Sequence, residues 1–138
     1  MKKKRILLVD DDVEHTFGIE QRLKMDGFNI ERATNAKQAW EMLQSRRKKY
    51  HGVIIDIMLP SDGLFTYDET DQDLKTGIRL CEKIKKELGN NLKIIGLTNH
   101  HDDKIKNQFI AAGGIKCYEK IQEGVAGIIA QQLSDKAS

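Results

Sequence analysis

The chain predicts an α/β fold, a single domain whose five-stranded parallel sheet is doubly wound as (βα)5 and covered by helices on both faces. Two observations predict it. Five short runs rich in β-branched and aliphatic residues recur along 138 residues, at Arg5 to Asp10, Phe28 to Ala33, Gly52 to Ile57, Leu92 to Thr98 and Ile115 to Glu119. Segments with helical apolar spacing alternate with them, and strict alternation with right-handed crossovers gives this three-layer sandwich.

The first, third and fourth runs are nearly continuous in Ile, Leu and Val, the pattern of parallel strands buried on both faces. Val13 to Met25 fits the first helix. Ala36, Ala39, Trp40 and Leu43 make an i, i+3, i+4, i+7 stripe for the second, and Gly77, Cys81, Ile84 and Leu88 repeat it for the third. Asp102 to Ala112 fits the fourth, with Ile105, Phe109 and Ala112 on its buried face. Gln122 to Leu133 fits the fifth, with Val125, Ile128 and Ile129 turned inward. Gly27, Gly89 and Gly113 stand where helices should stop, as left-handed C-terminal caps.

Composition narrows the function. One core suits this length, and 39% hydrophobic with 32% charged residues is ordinary for a soluble domain. A net charge of +2 argues for neither nucleic acid nor membrane as a partner. No apolar stretch approaches the roughly 18 residues of a membrane span, and the few apolar residues after Lys2 to Arg5 are too short for a signal peptide. Cys81 and Cys117 lack both CxxC spacing and disulfide-scaffold density, so they read as reduced thiols in a cytoplasmic protein. The basic run Arg46 to Lys49, at the end of the second helix, reads as a solvated helix end.

In a doubly wound sheet of order 2-1-3-4-5, ligands bind beyond the carboxyl ends of the strands, where the order reverses. Asp10 and Asp11 end the first strand, Asp56 the third, Thr98 the fourth, and Glu119 and Lys120 the fifth. Three converging carboxylates stay ionised only around a cation, and Mg²⁺ suits so few protein oxygens. With a facing lysine and hydroxyl, the set points to phosphoryl transfer onto an aspartate. Asp12, before Val13, reads as a helix N-cap.

These residues resemble the receiver domains of two-component response regulators, a CheY-like, flavodoxin-like family, over nearly the whole chain. "ILLVDDD" is similar to the family's first-strand acidic motif, "VIIDIMLP" to its phosphoacceptor strand, "GLT" to its hydroxyl strand and "YEK" to its lysine strand. The resemblance implies that Asp56 accepts a phosphoryl group from a sensor histidine kinase or a histidine phosphotransfer protein. It implies Mg²⁺ on Asp11 directly, on Asp10 largely through water, on Asp56, and on the Met58 backbone carbonyl. Thr98 would hydrogen-bond the phosphoryl oxygens and Lys120 would pair with them. A downstream protein would meet the face of the fourth helix, fifth strand and fifth helix, on a monomer or weak homodimer that catalyses only its own phosphorylation and dephosphorylation.

The chain departs from the family at three places. The aromatic residue whose rotation usually reports phosphorylation is replaced by Cys117, and the adjacent Tyr118 should face the other side of the sheet. Asn99 stands where a small residue is usual. Ile121 follows Lys120 in place of proline, leaving either a trans peptide or a cis bond costing about 2.5–4 kcal/mol. His100-His101-Asp102-Asp103 lacks metal-ligand spacing and reads as a polar loop whose aspartates serve the next helix.

The family's short link from proline to the third helix is also lengthened here. Matching its glycine to Gly77 puts an acidic insertion at about 61–74, carrying Asp62, Asp68, Glu69, Asp71 and Asp73. Such a loop is either a tolerated excursion, cheap in closure entropy, or functional. No helical stripe runs from Leu64 to Asp73. Phe65 and Tyr67 are its expected anchors, and restriction of donor access and kinase choice its expected roles. Two other classes compete: a phosphorylation-independent adaptor on the same fold, and a haloacid-dehalogenase-type phosphohydrolase with Asp10 as nucleophile, disfavoured by Glu14 and by the lack of room for a cap domain.

Overall fold

In the computed structural model, which describes residues 3–45, 49–89 and 91–134, the elements run in the expected order with one addition. They are β1 (Arg5–Val9), α1 (Val13–Met25), β2 (Asn29–Ala33), α2 (Ala36–Gln44), β3 (Gly52–Asp56), α3 (Tyr67–Thr70), α4 (Thr76–Leu88), β4 (Lys93–Thr98), α5 (Asp103–Ala111), β5 (Lys116–Glu119) and α6 (Val125–Ser134). The sheet is parallel in the order β2-β1-β3-β4-β5. Residues 46–48 of the basic run, and Lys2, lie outside the described residues.

Strand alternation sorts the side chains into two cores. Leu7, Val9, Val53 and Ile55 face α2, α4 and α5 with Trp40, Ile84 and Phe109, whereas Ile6, Leu8 and Ile54 face α1 and α6 with Leu23, Ile129 and Leu133. Burial of each such side chain contributes about 1.5–3 kcal/mol. Cys117 belongs to the first core and Tyr118 packs on the second, so the two lie on opposite faces. Burial pushes both the Cys81 and Cys117 thiols up to about 12, which keeps them protonated at neutral pH.

Helix ends follow their local chemistry. Asp12 caps α1 by accepting the His15 N–H, Asn35 caps α2 through Gln38, and Asp102 caps α5 through Lys104 and Ile105. Gly27 and Gly113 follow α1 and α5 at φ of 94° and 118°. Gly89 differs in kind: its φ of 81° with ψ of −155° is an extended left-handed-side conformation open essentially to glycine, and not a helical cap. The final helix starts at Val125 and not at Gln122, because a turn with Gly124 at φ 74° precedes it. Its buried face is Val125, Ile129, Ala130 and Leu133, while Ile128 is 37% exposed.

The segment 61–74 is built into the domain. Pro60 and Ser61 carbonyls accept the Ala36 and Lys37 N–H groups of the first turn of α2, at 2.9 and 3.2 Å. The Ser61 hydroxyl bonds both the N–H and the carbonyl of Phe65. Thr66 and Glu69 form a capping box that supports the single turn α3, which no sequence stripe announced. Arg79 of α4 donates to the Glu69 carbonyl at 2.7 Å. Leu64 and Phe65 pack on the core, but Tyr67 is 68% exposed, so only the first of the two expected anchors serves. Asp71, Gln72 and Asp73 all have left-handed backbones as the chain turns into α4.

Gly77 then meets β3. Its N–H donates to the Ile57 carbonyl at 2.8 Å, and an added Cβ would come within 2.4 Å of the Asp56 carbonyl oxygen. No side chain fits there, so this position in the first turn of α4 requires glycine. Among the described residues, no helix is long and apolar enough to cross a membrane.

Candidate functional site

Register sets the site. Val9 pairs with Ile55, Asp56 with Leu97, and Thr98 with Glu119, so Asp10, Asp56, Thr98 and Lys120 leave adjacent strands along one edge of the sheet. The Lys120 N–H donates to the Thr98 carbonyl at 2.9 Å, carrying β5 just far enough to deliver the lysine.

Asp10, Asp11 and Asp56 each offer a carboxylate oxygen within 4.8 Å of the others'. Asp10 is fully buried and Asp56 3% exposed, while Asp11 lies open to solvent. One Asp10 oxygen accepts the Asp12 N–H at 2.8 Å. Its other oxygen meets Lys120 Nζ at 2.8 Å, and the same ammonium reaches Asp56 at 3.2 Å. Burial, and then the charge of Asp10, push the Asp56 carboxyl up to about 7, against the pull of Lys120 and a Met58 N–H. Burial opposes the charge of Lys120, but the two carboxylates prevail and raise its affinity for the proton. One ammonium therefore leaves this acidic set undercompensated, which is the chemistry of a cation site. Mg²⁺ fits the donor set.

Thr98 is 3% exposed and its hydroxyl oxygen accepts the His100 N–H at 3.2 Å. Asn99 is exposed, and Met58 sits at the rim, 39% exposed. Cys117 lies in the first core with the Phe109 ring, which crowds Gly96 and Gly114. The Lys120–Ile121 peptide is trans, as no cis peptide occurs among the described residues. Asp12 holds the α1 cap and contacts the His15 ring, as expected of a cap residue. A cavity of about 240 Å³ beside Thr98 is lined by Ile57, Met58, His100 and Ile105 together with Asp71, Leu74 and Lys75. Asp71, Leu74 and Lys75 thus stand at the edge of the site.

Two supporting groups escaped the sequence. Arg32, at the end of β2, donates to the Asp10 carbonyl at 3.1 Å while Glu20 of α1 holds its guanidinium. Glu119 gathers His101 and Lys106 on one carboxylate oxygen. Arg32 lies in no motif, and Glu119 lies inside "YEK" without a role that the motif assigns. The Leu8–Arg32 pairing could have located Arg32, once the strand order was known.

A profile of the family described as the response regulator receiver domain matches residues 6–124. The response regulator RppA of Synechocystis sp. is 31% identical over 94 residues, 68% of this chain and 34% of its own length. The transcriptional regulatory protein CpxR of Escherichia coli K12 is 30% identical over 106 residues, 76% of this chain and 43% of its own. The chain thus spans less than half the length of these relatives. Among solved structures, a CheY-like response regulator receiver domain protein from Methanospirillum hungatei superposes with a TM-score of 0.73 at 24% identity, over 96% of this chain and 94% of its own. A putative response regulator from Chloroflexus aurantiacus superposes with a TM-score of 0.75 at 24% identity, over 96% and 98%.

Proposed function

The chain belongs to the response regulator receiver domain family, and we propose that within this family it is an Mg²⁺-dependent phosphoacceptor that carries the phosphoryl group on Asp56. The observation that carries this reading is the single buried ammonium, Lys120, shared by Asp10 at 2.8 Å and Asp56 at 3.2 Å beside a third carboxylate. Asp10, Asp11, Asp56 and the Met58 carbonyl would hold the metal, which when bound supplies neutralisation of the carboxylate and phosphoryl charge.

An Asp56 carboxylate oxygen attacks phosphorus, the bond to the donor's leaving atom breaks, and the leaving group departs with the electron pair. Lys120 stays on a phosphoryl oxygen, and the Thr98 hydroxyl, whose proton is not used by His100, donates to another. The donor is a phosphohistidine protein, a sensor kinase or a phosphotransfer protein. A downstream partner meets the α5–β5–α6 face.

Labelling by acetyl phosphate with Mg²⁺ should occur in the wild type and vanish in Asp56→Asn. Persistent labelling of that variant would move the phosphoryl group elsewhere, and labelling of Asp10 would favour the phosphohydrolase reading. The insertion walls the site and restricts donor access. Deleting residues 62 to 74 should change the acetyl phosphate rate or the preference among kinases, and no change in either makes it a tolerated loop.

A further inference from the structure

The segment after Thr98 is tied at one end to the phosphoacceptor site and at the other to β5. Thr98 accepts the His100 N–H. The next residue, His101, places Nδ1 at 2.9 Å from Glu119 Oε2, and Lys106 Nζ of α5 lies 2.8 Å from the same oxygen. Glu119 ends β5 and immediately precedes Lys120. One carboxylate therefore joins the loop that follows the Thr98 hydroxyl, the helix after that loop, and the strand end next to the Lys120 ammonium.

The side chains of Glu119 and Lys106 are 25% and 19% exposed, so this contact is partly shielded, while the His101 ring is 76% exposed and free to titrate. The groups facing His101 are Glu119 of β5, Lys106 of α5 and Asp103 in the first turn of α5. Glu119 raises the imidazole above its ordinary value, and Lys106 and His101 hold the Glu119 carboxyl below its own. With Cys117 in the core beside Phe109 and Tyr118 packed on the opposite face, β5 offers no aromatic ring on the side of Thr98. The loop and its ion triad remain.

We propose that Glu119 is a positioning residue: by binding His101 and Lys106 together it holds the Thr98 loop and the Lys120 strand in the mutual placement that a phosphoryl group on Asp56 requires. The inference rests on the phosphoacceptor reading and extends it to a residue outside the acidic cluster. A bound anion drawing on the Thr98 hydroxyl pulls, through His100, on the residue next to the triad. Coupling between the two is reciprocal.

Beryllofluoride with Mg²⁺, which stands in for the phosphoryl group on an aspartate, is the probe. Its affinity is measured by calorimetry for wild type, Glu119→Gln and Lys106→Met at pH 6 and pH 8. Both variants should bind about two- to fivefold more weakly. For Glu119→Gln the ratio to wild type should be larger at pH 6, where His101 is charged; taking the ratio cancels the titration of Asp56, common to both proteins. In the wild type, the His101 ring signals followed by NMR should titrate at higher pH with beryllofluoride bound than without. The same titration in Glu119→Gln reads the direct field of the bound anion. A Glu119→Gln ratio near one at both pH values, or a loss that does not vary with pH, overturns the proposal. A wild type that binds no beryllofluoride removes the phosphoacceptor reading itself and this inference with it, whereas binding unaltered by Glu119→Gln removes only the latter.

Discussion

Gly77→Ala tests the packing that locates the insertion. A methyl group at this position would lie 2.4 Å from the Asp56 carbonyl oxygen and 2.7 Å from Ile57 Cα. Ordinary non-bonded contacts begin near 3.5 Å, so α4 would have to retreat by about 1 Å. That retreat stretches the 2.8 Å bond from the Gly77 N–H to the Ile57 carbonyl. Overpacking costs about 1–3 kcal/mol, weakening the bond adds about 0.5–1.5, and the better helix propensity of alanine returns about 1. A net loss of roughly 0.5–3.5 kcal/mol is expected from these figures.

Gly18→Ala is the control. Gly18 lies inside α1 with nothing within 4 Å of an added Cβ, so the same chemical change should stabilise by about 0.5–1 kcal/mol. Urea denaturation of both variants without metal, with the slope m checked for constancy, gives the difference. Gly77→Ala should also weaken beryllofluoride binding, because the displaced carbonyl belongs to Asp56. A Gly77→Ala protein as stable as Gly18→Ala would refute the close approach of α4 to β3, and with it the match of Gly77 to the family's glycine.

Other outcomes follow from the same geometry. Asp56 is protonated up to about pH 7 in the fold but only below its ordinary value of 3.8 when unfolded, so the folded state binds more protons between the two. Metal-free stability should fall as pH rises through that window, by as much as about 4 kcal/mol, and urea titrations of Asp56→Asn should show most of the fall removed. Mg²⁺ should restore stability to the wild type at pH 7 and above, but not to that variant in equal measure, as thermal melts with and without the ion can show. Asp12→Ala should lower stability through the lost cap while leaving Mg²⁺ affinity unchanged. Asp11→Ala should do the reverse, and calorimetric Mg²⁺ titration of the pair separates cap from ligand. Arg32→Met frees the Asp10 carbonyl and should weaken Mg²⁺ binding measured in the same way, with partial recovery in Arg32→Lys.

What was legible in the sequence was whatever repeats at a fixed period or sits at a strand end. The Ile, Leu and Val runs give the strands to within a residue, and the stripe of Ala36, Ala39, Trp40 and Leu43 is buried as spaced. Asp10, Asp56, Thr98 and Lys120 could be placed because parallel strands bring their carboxyl ends to one edge. The single turn α3 was hidden since its support is a capping box and a distant arginine, Arg79, and not an apolar stripe. Ile128 looked buried because local spacing cannot tell a half-covered helix edge from its centre. Arg32 and Glu119 act through neighbours 12 or more residues away, so no window short enough to read as a motif contains both partners.

The short strand β5 also bears on how the sheet finds its alignment. Only Lys116 to Glu119 pair with β4, at one edge of the sheet. A slip of one residue would turn Cys117 and Tyr118 to the wrong cores, which hydrophobic pattern alone forbids. A slip of two keeps the faces and would be weakly resisted by four residues of pairing. It would also bring Tyr118 or Gln122 to the place of Lys120, leaving Asp10 and Asp56 buried together with no ammonium between them. Lys120 thus guards the alignment of the strand that carries it, before any phosphoryl donor arrives, and its replacement should make misaligned folding products more common as well as removing a phosphoryl contact.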